Sequence, residues 1–324
     1  TTPGGITAIQ VKTADPSILD IISNAFGNFT NQKLQITITA EDGTSGLDQL
    51  EYVIEGKDPV SVKFDGNGQA VFTVDPASTP LYSKGITVSV IDKAGNESTP
   101  EPIVQGEGEN KGKWTVESMG PVLDKFTVSN AEGNDGWHIT SPTFSWEVSD
   151  NGGLSEVKIT KSAGTGTEDT EWYSWKPESE NVENADIQDI IGQVGEQTVD
   201  SADQGTFTFT LSAKDMAGNE SVSPEEIAVK IDTVAPVIGE PELVSATPAD
   251  NWTNQDRTYQ FTLTDVTSGI DPETVQITCS DQSAGTITAT EVVGTPGTWE
   301  FNAPVNGTYT ISVKDKAGNE AESV

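Results

Sequence analysis

The chain has 324 residues, enough for two or three domains, and its 17 basic against 51 acidic residues give a net charge of −34. That balance excludes nucleic acid as a partner, because phosphate contacts need clustered Lys and Arg and the one arginine is Arg257. One Cys and one His leave no internal disulfide and no zinc site, and no apolar run is long enough for membrane insertion in this segment.

Hydrophobic residues make up only 34% of the chain, but they alternate in short runs among Thr, Ser and Gly, which points to an all-β fold. Thr1-Thr2-Pro3-Gly4-Gly5 reads as the cut end of a linker, so the sequence is expected to be a stretch of something longer. Ile6 to Val11 has an edge-strand pattern, and residues 16–26, with Ile18, Leu19, Ile21, Ile22 and Phe26, have the spacing of a helical turn. Leu34, Ile36 and Ile38 then alternate into Asp42-Gly43-Thr44-Ser45-Gly46-Leu47. Further on, Ile86, Val88 and Val90 alternate into Asp92-Lys93-Ala94-Gly95-Asn96-Glu97. Both Asp-led strings are turn chemistry: Asp accepts from backbone N–H groups two residues on, and Gly and Asn tolerate positive φ.

Both markers recur. Phe144, Trp146 and Val148 lead into Asp150-Asn151-Gly152-Gly153-Leu154, and Phe207, Phe209, Leu211 and Ala213 into Asp215-Met216-Ala217-Gly218-Asn219-Glu220. Tyr259, Phe261 and Leu263 lead into Asp265-Val266-Thr267-Ser268-Gly269-Ile270, and Tyr309, Ile311 and Val313 into Asp315-Lys316-Ala317-Gly318-Asn319-Glu320. Three copies predict three homologous domains, over 1–113, 114–232 and 233–324. The two Asp markers lie 50 residues apart in the first and third domains and 65 apart in the second. With Glu171 to Trp175 aligned on Val71 to Val74 and on Trp299 to Phe301, the excess falls in an acidic insert near 177–204, with a short helix predicted from Ala185 to Ile191. Val116-Glu117-Ser118-Met119-Gly120-Pro121 and Ile231-Asp232-Thr233-Val234-Ala235-Pro236 are the joints. Such short, Pro-stiffened linkers favour an extended array.

Trp252-Thr253-Asn254, the Asp-x-x-Ser-Gly-Ile of 265–270, Gly307-Thr308-Tyr309 running into the Ala-Gly-Asn turn, and Ile231-Asp232-Thr233 before Ala235-Pro236 resemble the bacterial immunoglobulin-like repeats of Gram-positive cell-surface proteins. The resemblance covers nearly the whole chain. The first domain lacks the Trp and has Asn28-Phe29-Thr30-Asn31 there, and the second has Trp137-His138-Ile139-Thr140. It implies three tandem immunoglobulin-like (fibronectin III-like) β-sandwiches, in a monomeric, extracellular stalk or adhesion segment on a bacterial surface or secreted. It fixes no ligand, because one scaffold hosts many functions.

No catalytic constellation assembles. His138 stands alone before a strand, with no nucleophile elbow near it, and paired carboxylates carry no information in a chain this acidic. Tyr173 and Trp175 share one strand face, with Trp172 on the other, and read either as core or as a stacking platform for a glycan. With the insert they make the second domain the place where a glycan or a host surface protein would bind. Tyr309, just after Gly307-Thr308, has the position of a tyrosine corner. In a sandwich the B–C and F–G loops share one end, where the preceding linker also arrives. Asp232, Asp265, Asp315 and Asn319 are therefore expected to converge at the joint of domains 2 and 3, with Glu117, Asp150, Asp215 and Asn219 as the counterpart one joint earlier. Each Asp either caps its own turn or joins a carboxylate set suited to calcium, which takes six to eight oxygen ligands.

Overall fold

The computed structural model describes residues 2–13, 21–24, 26–76, 84–104, 112–164, 169–177, 187–245 and 255–324. They build three β-sandwiches in tandem, each around its own apolar core. In the first, Gly5–Thr13, Leu34–Glu41 and Gln69–Val74 form one antiparallel sheet, while Lys113–Val116, Lys84–Asp92, Leu47–Ile54 and Val60–Lys63 lie side by side in the other. The inward residues of the first sheet are Leu34, Ile36, Ile38, Phe72 and Val74, as the period-2 pattern requires, and they pack against Ile86, Val88, Val90 and Trp114. Trp114 donates its indole N–H to the Ile103 carbonyl, and its strand runs on to Val116, past the boundary expected at 113. Within the helical turn expected over 16–26, Ile22–Asn24 is a short strand, and residues 16–20 and 25 lie outside the described residues. Trp252-Thr253-Asn254 lies outside them too.

The second domain repeats this plan. Val122–Val128, Thr143–Ser149 and Gly192–Thr198 make one sheet, and Trp137–His138, Glu225–Ile231, Gly205–Asp215, Leu154–Ala163 and Thr170–Trp175 the other. The alignment of Glu171 to Trp175 is therefore corrected: this strand pairs with Leu154–Ala163, so its equivalent in the first domain is Val60–Lys63. The equivalent of Gln69–Val74 is Gly192–Thr198, inside the stretch read as an insert. Periodicity could not reveal that strand, because its inward face carries no apolar side chain: the positions are Gln193, Gln197 and, between them, Gly195. A Cβ there would overlap the Trp146 indole, which lies across the glycine from its cross-strand partner. The bulk that alternation would assign to one strand is supplied by the neighbouring one. Val194 points out and is 78% exposed. The helix predicted from Ala185 to Ile191 is a single 3-10 turn over Ile187–Asp189, with 185 and 186 outside the described residues.

The third domain pairs Arg257–Thr264 with Thr298–Ala303, matching the expected alignment of Trp299 to Phe301, and Gln276–Cys279 with Tyr309–Ser312. The Tyr309 hydroxyl donates to the Val305 carbonyl at 2.7 Å, the backbone bond of a tyrosine corner. Among the described residues no helix is long and apolar enough to cross a membrane.

Candidate metal centres at the two domain joints

The F–G turn has one design in all three domains. In each copy the Asp accepts from the backbone N–H and the side-chain amide of the Asn four residues on: Asp92 from Asn96, Asp215 from Asn219 and Asp315 from Asn319. Gly95, Gly218 and Gly318 all have φ between 85° and 107°, a region open to glycine, so the turn closes without strain. The Asn amide then faces the incoming linker. Asn319 Nδ2 donates to the Asp232 carbonyl at 2.8 Å, and Asn219 Nδ2 lies 3.3 Å from the Glu117 and Met119 carbonyls. The repeated string is thus a device that grips the preceding linker as well as a hairpin turn.

The grip brings carboxylates together. Among the described residues, two groups have carboxylate oxygens within 4.8 Å of one another: Glu117 with Asp150 and Asp215, and Asp232 with Asp265 and Asp315. Each takes one acid from the linker, one from the B–C loop and one from the F–G turn. All four positions expected at the later joint, Asp232, Asp265, Asp315 and Asn319, meet there. Five of the six acids are buried and Asp265 is half-buried.

The surroundings of the two groups differ. At the later joint the Asp232 carboxylate accepts from Ser268 N–H at 3.0 Å and Val234 N–H at 3.2 Å, and Asp265 from Thr267 and Gly269 N–H. At the earlier joint Asp150 accepts from Gly152 N–H at 2.8 Å, but Glu117 Oε1, on a side chain with the residue only 3% exposed, has no hydrogen-bond partner. Burial, together with the nearby Asp150 and Asp215, pushes the Glu117 carboxyl up to about 9. Burial likewise raises Asp150 to about 7 and Asp215 to about 6. The first domain's turn Asp has a different setting. There the Asn96 amide holds Asp92 down at about 2, and the Thr44 N–H lowers Asp42. The same turn Asp is a comfortable carboxylate in one copy and a strained one in another.

Clustered buried carboxylates, with linker and turn carbonyls beside them, form an oxygen-only donor set of the kind hard cations take. The orphaned Glu117 Oε1 lacks a positive partner that the protein does not supply, and a bound divalent cation fits that requirement.

The aromatic residues of the second domain are placed otherwise. The Tyr173 ring packs on Trp146 at 4.4 Å between centroids, and Trp172 lies edge-on to Phe144 and Phe209. A register shift between Ile159 and Thr160 inserts an extra residue on their strand. A bulge of this kind turns successive side chains to one face, which is why Trp172 does not oppose Tyr173 as strict alternation predicts. Trp175 packs against the second core and against a further apolar group, Phe26, Phe29, Ile187, Ile190, Met216 and Ala217, which spans the earlier joint. His138 is buried in a two-residue parallel strand, and its Nδ1 has no hydrogen-bond partner.

The sequence itself carries one signal of the apolar joint. The residue after the turn Asp is Lys93 and Lys316 in two copies but Met216 in the middle one. The lysines lie over Gly46 and Gly269, whereas the equivalent Gly153 is covered by Ile187 and Ile190.

No family model matches the chain. A stretch of it is 35% identical over 124 residues to Chitinase A1 of Niallia circulans, covering 38% of this chain and 17% of that protein's length. Among solved structures, one described as showing host cell surface retention of a 1.5-MDa bacterial ice-binding adhesin is 15% identical, covering 98% of this chain and 96% of that one, with a TM-score of 0.33. A Ca2+-stabilised adhesin of an Antarctic bacterium that binds ice is 19% identical over 99% and 72%, with a TM-score of 0.30. A marsupial T cell receptor is 12% identical over 93% and 98%, with a TM-score of 0.31. At these scores the likenesses carry no argument of their own, and the fold rests on the strand pairing above.

Proposed function

We propose that this chain is a non-catalytic stalk or adhesion segment of a bacterial surface or secreted protein, in which calcium closes the joints between successive immunoglobulin-like domains. The observation that carries this reading is the repetition of one arrangement, linker acid, B–C Asp and F–G Asp, at both joints. Its supports are the Asn219 and Asn319 bonds to the linkers and the partnerless Glu117 oxygen. Without a cation three close carboxylates repel one another and loosen the joint, and a bound cation turns that repulsion into attraction. A chain of rigid joints projects whatever lies beyond it, and the surplus negative charge keeps such rods apart.

The alternative, a module binding a glycan or host protein through the second domain, has less support, since Tyr173 and Trp175 are engaged in packing. The experiment is thermal unfolding of the full chain in millimolar calcium and in chelator, beside Asp232→Asn. Calcium should raise the melting temperature of the parent and raise it less in the variant. Superimposed curves under all conditions would mean that packing alone holds the joints.

A further inference from the structure

The earlier joint combines two features that, among the described residues, the later one does not show. One is the unsatisfied linker acid. At the later joint Ser268 N–H neutralises part of the Asp232 charge. The second domain's B–C loop is one residue shorter, and Gly152 stands where the others have Ser45 and Ser268. Its N–H turns inward to Asp150, and any Cβ on it would overlap the Glu117 carboxylate. The shortened loop thus makes room for Glu117 while withholding a donor from it.

The second feature is the apolar group across the joint. Ile187 and Ile190, from the stretch between Thr170–Trp175 and Gly192–Thr198, sit on Gly153, the next residue of the same loop. A Cβ at Gly153 would come 2.7 Å from Ile190 Cδ1. The Ile190 carbonyl accepts from Leu154 N–H and the Ile191 carbonyl from Asp150 N–H, so this segment is bonded directly to the loop that carries an acid. Phe26 and Phe29 of the first domain close the group from the other side, with Met216 of the F–G turn. The segment that makes the second domain longer than its siblings is therefore the part that docks it on the first.

Building on the calcium reading, we propose that the extra segment of the second domain is an affinity device: it pre-forms the Glu117–Asp150–Asp215 site, so that the earlier joint takes a divalent cation more tightly than the later one and stays closed at calcium levels where the later joint opens. Two physical terms act in the same direction. A cation at the earlier site relieves a buried oxygen with no other partner, whereas at the later site it competes with N–H donors already in place. The apolar contact holds the three acids together before the cation arrives, which lowers the ordering cost of binding.

The test is calorimetric titration of the full chain with calcium chloride. The parent should show two phases differing by about tenfold or more in affinity. Glu117→Gln should remove the tight phase and Asp232→Asn the weak one. Ile190→Ser should weaken the tight phase about tenfold and leave the weak phase unmoved. Phe29→Ser, changed on the opposite domain, guards against misfolding of the loop and should act in the same way. Two equal sites, a tight phase removed by Asp232→Asn, or a tight phase indifferent to both Ile190→Ser and Phe29→Ser would overturn the affinity device and leave the calcium reading standing. No calcium heat at all would remove both.

Discussion

Gly152 and Glu117 fit as socket and plug: the linker carboxylate lies where a side chain on the glycine would be. The fit sets the position of the linker and hence the seating of the first domain on the second. Gly152→Ala forces one of the two to move. It is expected to destabilise the joined domains by about 1–3 kcal/mol, read by chemical denaturation, with no effect on the unfolding of the third domain.

Removing the charge but keeping the shape has the opposite sign. In chelator, Glu117→Gln replaces a buried acid, whose Oε1 has no hydrogen-bond partner and which the folded state keeps only by taking up a proton, with a neutral amide, and stability at pH above the ordinary carboxyl range is expected to rise by about 1–4 kcal/mol. In calcium the same variant should lose the stabilisation that the parent gains. A variant less stable than the parent in chelator would show that burying Glu117 carries no net cost in the folded state.

The pH dependence follows from the direction of the shifts. Glu117, Asp150 and Asp215 hold their protons more tightly folded than unfolded, at about 9, 7 and 6 against ordinary values of 4.5 for Glu and 3.8 for Asp. Their contribution is therefore fully present below the ordinary values and is lost as pH rises through 6 to 9. Burial lowers the pKa of His138, which opposes this trend only below about 6.5. In chelator the melting temperature should climb as pH is lowered from about 9 to about 6.5, and the climb should shrink in Glu117→Gln. In saturating calcium the slope should flatten or reverse, because cation and protons compete for the same oxygens. A chelator profile unchanged by Glu117→Gln would mean that the group titrates normally.

Trp172 and Tyr173 give a prediction about the core. Their rings pack on Phe144, Phe209 and Trp146, so Trp172→Ala is expected to cost about 3–5 kcal/mol in unfolding of the second domain. A variant of full stability that had lost binding on a glycan array would favour the sugar-platform reading instead.

Much of this was legible in the sequence, and what was not has identifiable causes. The Asp, Gly and Asn of the turns act through local backbone chemistry, so their strings announced both the repeat and the end of the sandwich where linkers arrive. The convergence of Asp232, Asp265, Asp315 and Asn319 follows from that shared end. The strand Gly192–Thr198 was hidden because its inward positions are Gln193, Gln197 and a central glycine filled by Trp146 from the next strand, a cross-strand relation that no local pattern carries. The face of Trp172 was hidden by a bulge, which resets alternation by one residue. The role of Ile187 and Ile190 depends on Phe26 and Phe29, more than 150 residues earlier, and only the change from Lys to Met at 216 hinted at it.

The arrangement of the joints most directly predicts a count. Equilibrium dialysis of the full chain against calcium, with bound metal measured by atomic emission, should give two ions for the parent. It should give one for Glu117→Gln, one for Asp232→Asn, and none above background for the double variant. A parent that retains no more calcium than the double variant would contradict the cation-closed joint, and the carboxylates would then be turn residues gathered by the linkers alone.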